Sequence, residues 1–187
     1  INATGASSYV PELGGSSEKV IPFEEVIACP KVSCEFHPQD GRKSRKLEGN
    51  KVIVWGDHYP AVDTAEFLAS IGKEVVIVTD KNEFASTVEV IHMYVLRKRF
   101  NQTDAEALNS KPYKYPVTVI ENTRIIEIRD GEVTTLNKKL EMGTISCDNV
   151  VSCWTTPNIK MLNTMKKEGI TVINVGDSVS PRNLHAA

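Results

Sequence analysis

The sequence predicts an α/β fold in three layers: a parallel sheet, helices packed on it, and an antiparallel meander beside it. Three observations carry this. Residues 51–80, KVIVWGDHYPAVDTAEFLASIGKEVVIVTD, read as strand, tight turn, helix and strand, a right-handed βαβ unit with parallel strands. Residues 117–120 and 150–153 are further β-branched runs, the pattern of strands buried on both faces. Residues 124–128, 132–136 and 143–147 instead alternate apolar and polar side chains, as a sheet with one covered face does.

Within the βαβ unit each boundary has a residue to explain it. Val52, Ile53 and Val54 form the first buried run, and Gly56 breaks it. Pro60 stands in the first helical turn, where its missing N–H costs nothing. Ala61, Ala65, Leu68, Ala69 and Ile71 fall mainly on one helical face. Gly72 ends the helix, as a glycine just past a helix terminus does. Residues 75–78 form the second buried strand.

The turn between strand and helix is where chemistry would sit. A Rossmann-like dinucleotide site carries G-x-G-x-x-G/A there. Gly56, His58 and Ala61 occupy that register. Alanine suits close helix–strand packing, whereas histidine stands where a glycine would let backbone approach a pyrophosphate. Two readings stay open: a nucleotide turn with a crowded approach, and an ordinary βαβ turn with no ligand. Phosphates of a dinucleotide or of ADP are expected over residues 56–61, at the helix N-terminus. His58→Gly is then expected to tighten binding. The acid that holds ribose hydroxyls is normally the last residue of the second strand. That register falls on Thr79, with Asp80 one place later, as a ribose ligand or as a cap for the next segment. NAD and NADP fit equally well.

Composition removes whole classes of function. Over 187 residues the net charge is −2, which gives no electrostatic case for nucleic acid. No apolar run approaches membrane-spanning length, and no secretory signal opens the sequence. Cys29, Cys34, Cys147 and Cys153 lack a C-x-x-C pair, which argues against a metal or iron–sulfur site within the chain. Reduced structural thiols in a cytoplasmic protein are expected. The length suits one domain or one and a half. Ile1 is not methionine, INATGAS reads as a strand end entering a loop, and PRNLHAA reads as the start of a helix. A fragment of a larger domain is therefore expected.

The remaining elements come in order. Residues 20–27 read as a helical turn or a strand. Residues 29–50 form a polar connector whose basic run, Arg42, Lys43, Arg45 and Lys46, reads as solvated loop; His37 there has no assigned role. Residues 84–100 read as a helix with Val88, Ile91, Val95 and Leu96 inward, and with Arg97, Lys98 and Arg99 complementing the dipole of its last turn. Asp130-Gly131 joins two meander strands as a tight hairpin. Residues 159–167 form a short helix with Ile159, Leu162 and Met165 inward. Residues 171–175 form a last strand, ending at Gly176-Asp177. Trp55, Tyr59 and Trp154 read as packing residues, and Cys153 as an inert thiol.

These residues carry a resemblance that covers nearly the whole chain. It resembles the nucleotide-binding part of flavin-dependent disulfide-reductase-like proteins, in which an NAD(P)-binding domain is inserted into an FAD-binding domain. Ala3-Thr4-Gly5 is similar to the loop returning from the first FAD half. Gly176-Asp177 is similar to the second FAD motif, whose aspartate binds the ribityl or phosphate region. Thr156-Pro157-Asn158 resembles an R-P-N element with threonine for arginine. Asp57-His58-Tyr59 in the turn and the ending GDSVSPRNLHAA resemble, more closely, the trimethylamine dehydrogenase and dienoyl-CoA reductase group of the NADH:flavin oxidoreductase (old yellow enzyme) family.

That resemblance implies a division into residues 1–50, part of an FAD domain with a connector; 51–153, an NAD(P)-binding-like domain; and 154–187, a truncated return to the FAD domain. It implies NAD(P)H or ADP on this chain, held by Gly56, Asp57, His58, Tyr59, Ala61, Thr79 and Asp80. It also implies an FAD edge made of Ala3, Thr4, Gly5, Gly176 and Asp177. FAD, FMN and a 4Fe-4S cluster are implied for the full-length protein, with an N-terminal FMN barrel domain as partner. No catalytic residue and no metal ligand is implied within this chain. Hydride would pass from nicotinamide to FAD and on to FMN, the cofactors carrying the chemistry. The alternative is a non-catalytic module that holds ADP, as in the trimethylamine dehydrogenase branch, or that is purely structural. The isolated chain is expected to be inactive and colourless.

Overall fold

Eleven strands and four helices are described in the computed structural model, which covers residues 1–15, 20–27, 47–102 and 112–181. The strands are β1 (Ala6–Tyr9), β2 (Gly14–Gly15), β3 (Val20–Pro22), β4 (Lys51–Trp55), β5 (Glu74–Val78), β6 (Thr118–Ile120), β7 (Thr123–Arg129), β8 (Glu132–Asn137), β9 (Met142–Ser146), β10 (Asn149–Ser152) and β11 (Trp154–Pro157). The helices are α1 (Phe23–Ile27), α2 (Tyr59–Ser70), α3 (Val90–Phe100) and α4 (Lys160–Lys167). They fall into two units: Val10–Cys153, and Ile1–Tyr9 together with Trp154–Ala187.

In the unit Val10–Cys153 the apolar runs become a five-stranded parallel sheet, ordered β3-β10-β4-β5-β6. The period of two along each strand sends its side chains to two faces. Val52, Val54, Val75, Ile77 and Val151 join one buried cluster with Ala61, Val62, Ala65, Leu68 and Ala69 of α2 and Met93, Leu96 and Phe100 of α3. Ile53, Val76, Val78 and Val150 alternate with them and are equally buried. On the meander, Ile125, Ile128 and Val133 are buried, and β7 meets β5. The fold is therefore Rossmann-like and three-layered, with helices, parallel sheet and antiparallel strands, as the sequence patterns predict.

The meander runs β7-β8-β9, with β2 added in parallel on β7. Gly131, with φ +78°, makes the turn of the Asp130-Gly131 hairpin, a backbone state glycine adopts without cost. α2 ends as expected: Gly72 has φ +84°, its N–H bonds to the Ala69 carbonyl, and the Lys73 N–H bonds to that of Leu68, each at 3.0 Å. That pair of bonds is the Schellman arrangement.

Several sequence expectations are corrected. Residues 20–27 are not one element but β3 followed directly by α1. The helix expected over 84–100 begins only at Val90. Its buried face is Met93, Leu96 and Phe100, while Ile91 is 81% exposed. Phe84 and Val88 are buried from the preceding loop instead, which shifted the apparent spacing. β6 is an edge strand with Val119 exposed. Ile71 and Ile159 are exposed because they cap α2 and α4 rather than lie within them. Residues 171–175 form no strand; they make a single bridge, Asn174 to Asn2. The connector with Arg42, Lys43, Arg45, Lys46 and His37, as well as Cys29 and Cys34, lies outside the described residues apart from 47–50.

The other unit holds an antiparallel ribbon, β1 with β11, registered Ala6 to Pro157 and Tyr9 to Trp154. It also holds α4 and a 3₁₀ turn, Gly176–Ser178.

Candidate functional site

The turn after β4 sits at the carboxyl end of a central strand, where ligands bind in open α/β sheets. A Cβ on Gly56 would lie 2.8 Å from the Cβ of Cys153. The first glycine is thus required by the close passage of the turn over the end of β10. Pro60 has no N–H, and the N–H groups of Ala61 and Val62 both bond to the His58 carbonyl, at 2.9 and 3.1 Å. Ala61, at the third position of the register, is fully buried against the sheet. Among the described residues the amides of Asp57, His58 and Tyr59 have no protein acceptor. They stand at the positive end of the α2 dipole, an anion-favouring position.

The side chains of the turn are engaged with the loop after β5. Asp57 is 2% exposed. Its Oδ1 accepts the Ala85 N–H at 2.9 Å and lies 3.5 Å from the Thr79 hydroxyl. His58 caps α2 without a side-chain cap bond. Its Nδ1 shares a hydrogen bond of 2.9 Å with the Thr87 hydroxyl and lies 3.8 Å from Asp57. Ala85 takes φ +56°, which costs a residue with a Cβ about 1–2 kcal/mol; the Asp57 bond and the burial of Phe84 and Val88 hold it there. Glu121 adds a further tie by accepting the Phe84 N–H at 2.8 Å. The loop 80–89 is clasped onto the turn.

Thr79 is fully buried and its hydroxyl also accepts the Lys81 N–H at 3.2 Å. Asp80 is half exposed and paired with Lys81 at 3.5 Å. Tyr59 opens α2, partly buried against the core, with its ring 6.2 Å from that of His92.

In the other unit, the two stretches likened to FAD edges are brought side by side. The Asn2 N–H bonds to the Ile173 carbonyl at 2.7 Å, and the Val175 N–H to the Asn2 carbonyl at 3.0 Å. Asn2 Nδ2 donates to Asn174 Oδ1 at 2.9 Å, and the Ser178 hydroxyl lies 2.9 Å from the Asn2 carbonyl. Ala3 comes next, exposed; Thr4 bonds through its hydroxyl to the Asn158 carbonyl at 2.8 Å; the Gly5 carbonyl accepts the Asn158 N–H. Gly176, with φ +63°, turns the chain so that Asp177 starts the 3₁₀ turn, half-buried. Asn2 thus lies against residues 173–175 and 178, some 170 positions away in sequence, while Thr4 and Gly5 meet Asn158 instead.

The sequence reading missed Ala85, Thr87 and Glu121, because nothing local marks a partner 28 or more residues away. It also missed Asn2 and Ser178, the buried polar pair that joins the two stretches; a small polar residue beside each motif was the available signal. Burial pushes the Cys153 thiol up to about 12 and, with Asp148 adding to it, that of Cys147 to about 11, so neither is a thiolate nucleophile near neutrality. Among the described residues no group of three or more His, Cys, Asp or Glu is placed to hold a metal, and no helix is long and apolar enough to cross a membrane.

Fold and turn together define a Rossmann-like α/β module with a nucleotide-type turn at the end of its central strand. No family model and no curated protein sequence matches the chain. Solved structures do. A 2-naphthoyl-CoA reductase in complex with 2-naphthoyl-CoA superposes with TM-score 0.69 at 23% identity, over 98% of this chain and 24% of its own. Histamine dehydrogenase from Rhizobium sp. 4-9 gives TM-score 0.63 at 21% identity, over 97% of this chain and 28% of its own. Thioredoxin reductase from Streptococcus pyogenes gives 0.54 at 17% identity, over 88% and 46%. The resemblance drawn from the sequence is thus met by structure neighbours from that same group, as a likeness of fold. The chain spans about a quarter of the length of the first two.

Proposed function

We propose that this chain is the nucleotide-binding region of a multi-domain flavin-dependent oxidoreductase of the trimethylamine dehydrogenase and dienoyl-CoA reductase group, in which an NAD(P)H-binding unit passes hydride equivalents to FAD. The observation that carries it is the turn after β4, with three amides that have no acceptor among the described residues at the N-terminus of α2. An adenine nucleotide would place its phosphates there, over Gly56, Asp57, His58, Tyr59 and Ala61, and its ribose toward Asp80 at the end of β5. Ala3, Thr4, Gly5, Gly176 and Asp177 would line FAD in the intact protein; FMN and an iron–sulfur cluster would belong to the rest of it, including a barrel domain. In this reading residues 1–50 and 154–187 are portions of the FAD domain, and 51–153 are the inserted nucleotide domain, in a cytoplasmic protein.

A second reading has a specific observation in its favour. The clasp of the loop 80–89 over the turn, through Asp57–Ala85 and His58–Thr87, suits a unit that holds ADP permanently rather than one that exchanges a full dinucleotide. Thermal unfolding with ADP, NADH and NADPH tests both. A ligand at a hundred times its Kd adds about 2.7 kcal/mol, and its absence for every adenine nucleotide overturns the proposal. NADH no tighter than ADP favours the holding module. His58→Gly is expected to tighten binding, because it removes the ring and its tie to Thr87 together.

A further inference from the structure

The helix α3 is apolar on two sides. Met93, Leu96 and Phe100 turn inward, each 5% exposed or less, and join the buried cluster on the parallel sheet. Ile91, Tyr94 and Val95 fall at positions i, i+3 and i+4 of another stripe, with Lys98 at i+7, the spacing of a single helical face. Val90, Ile91 and Tyr94 are 84, 81 and 61% exposed, and Val95 is 36% exposed. α2 shows the ordinary arrangement: its exposed positions are Asp63 and Ser70, both polar. Apolar surface left in water forgoes about 25 cal/mol for each Å², and a helix that is apolar on opposite sides belongs in a buried setting. Among the described residues nothing covers the outer stripe.

Charge decides what fits it. The stripe begins at Glu89, an exposed acidic residue at the N-terminus of α3. It ends at Lys98, whose Nζ lies 4.6 Å from the centre of the Tyr94 ring, a cation–π contact. The cations on either side of Lys98 are turned to partners within the unit: Arg97 pairs with Glu83 at 2.9 Å, and Arg99 pairs with Glu66. The outer face is therefore acidic at one end, apolar in the middle and basic at the other. A second copy laid antiparallel across it sets the acidic end of each helix beside the basic end of the other. Ile91, Tyr94 and Val95 then meet their own counterparts between those ends. Two-fold symmetry makes each such contact twice, and the two helix dipoles run in opposite directions. An anionic surface would suit Lys98 and meet Glu89 as well.

We propose that α3 is a self-association face, packing antiparallel on α3 of a second copy around a two-fold axis near Tyr94. This does not depend on any ligand of the turn after β4. A helix of 11 residues is about 16 Å long, a small contact beside the about 800 Å² per partner of a standard complex. The dimer is therefore expected to be weak, with a Kd of about 10–100 μM.

Sedimentation velocity of the 187-residue chain over a series of concentrations tests this. A monomer–dimer equilibrium is expected. Ile91→Gln should weaken it at least about tenfold and leave the Tm of the dilute monomer unchanged, because Ile91 makes little contact within its own unit. Glu89→Lys and Lys98→Glu should each weaken self-association about tenfold, since each sets like charges against one another. Mixed in equal amounts, these two variants should associate at least as well as the unaltered chain, because both facing pairs are then of opposite sign. The helix dipole disfavours either change within one chain, and mixing does not undo that, so recovery separates docking from helix stability. A chain that stays monomeric up to about 1 mM overturns the proposal. So does a dimer that Ile91→Gln leaves intact. A mixture that fails to recover overturns the antiparallel arrangement, and with it the assignment of the face to a second copy.

Discussion

The two units are held together by different forces. In Val10–Cys153 the sheet residues Val52, Ile53, Val54, Ile77 and Val78 are wholly shielded, and so are Ala61, Val62 and Leu68 of α2. Its stability is that of burial, about 25 cal/mol for each Å² of apolar surface removed from water. In the unit of β1, β11 and α4, the buried residues among those described are Leu162, Asn2 and Ser178. Ile173, Val179 and Met161 are 63, 53 and 51% exposed there. That unit is ordered by hydrogen bonds around Asn2, each worth only about 0.5–1.5 kcal/mol net. One unit has a closed core; the other has its polar joinery without one.

The sharpest test of that contrast is a matched pair of truncations. Leu68→Ala should lower the unfolding free energy by about 2–5 kcal/mol, whereas Leu162→Ala in α4 should lower the main urea transition by less than half as much. Equal losses would show that the smaller unit relies on apolar burial as much as the larger one does. Next in size is Gly56→Ala, which sets a Cβ 2.8 Å from that of Cys153 and should cost about 1–3 kcal/mol, read as a fall in Tm. A neutral substitution would mean that the turn has room to move. Ser178→Ala removes the hydroxyl that stands 2.9 Å from the Asn2 carbonyl and 2.8 Å from that of Val175. It should speed hydrogen exchange at the amides of Asn2 and Val175 and leave Ala61 and Val76 protected. Faster exchange in both units would break the contrast.

The smallest effect is one of pH. The Cys147 thiol has an ordinary value of 9.0 and is pushed up to about 11. Below 9 it is neutral in both states and its contribution is complete. Between about 9 and 11 the unfolded chain loses this proton and the folded one keeps it, so stability falls as pH rises through that window. Cys147→Ala should flatten the fall; an unchanged slope would assign it to other groups.

Much of the larger unit was legible because burial writes itself into local pattern. The runs at 52–54 and 75–78 and the alternation at 132–136 each report the environment of their own residues. The other unit was less so. Residues 171–175 have a strand's composition, yet propensity names no partner strand, and they form one bridge only. β1 and β11, ASSY and WTTP, carry no apolar period at all and are defined by pairing with each other. At the site, the Gly56, His58 and Ala61 register located the turn, but the engagement of Asp57 with Ala85 depends on a contact 28 residues away. The left-handed backbone at Ala85 had no glycine or asparagine to announce it.

The chain passes between the units at two places, from Tyr9 to Val10 and from Cys153 to Trp154, and Tyr9 is paired directly with Trp154. The 144 residues between them (154 − 10) are spliced into what is otherwise a simple β-hairpin. Such a layout makes the larger unit a cassette. Exchanging residues 10–153 for a two-residue type I′ loop such as Asn-Gly would leave β1 and β11 joined in their present register. In evolutionary terms, this seam lets a whole α/β unit enter or leave without unpairing β1 from β11.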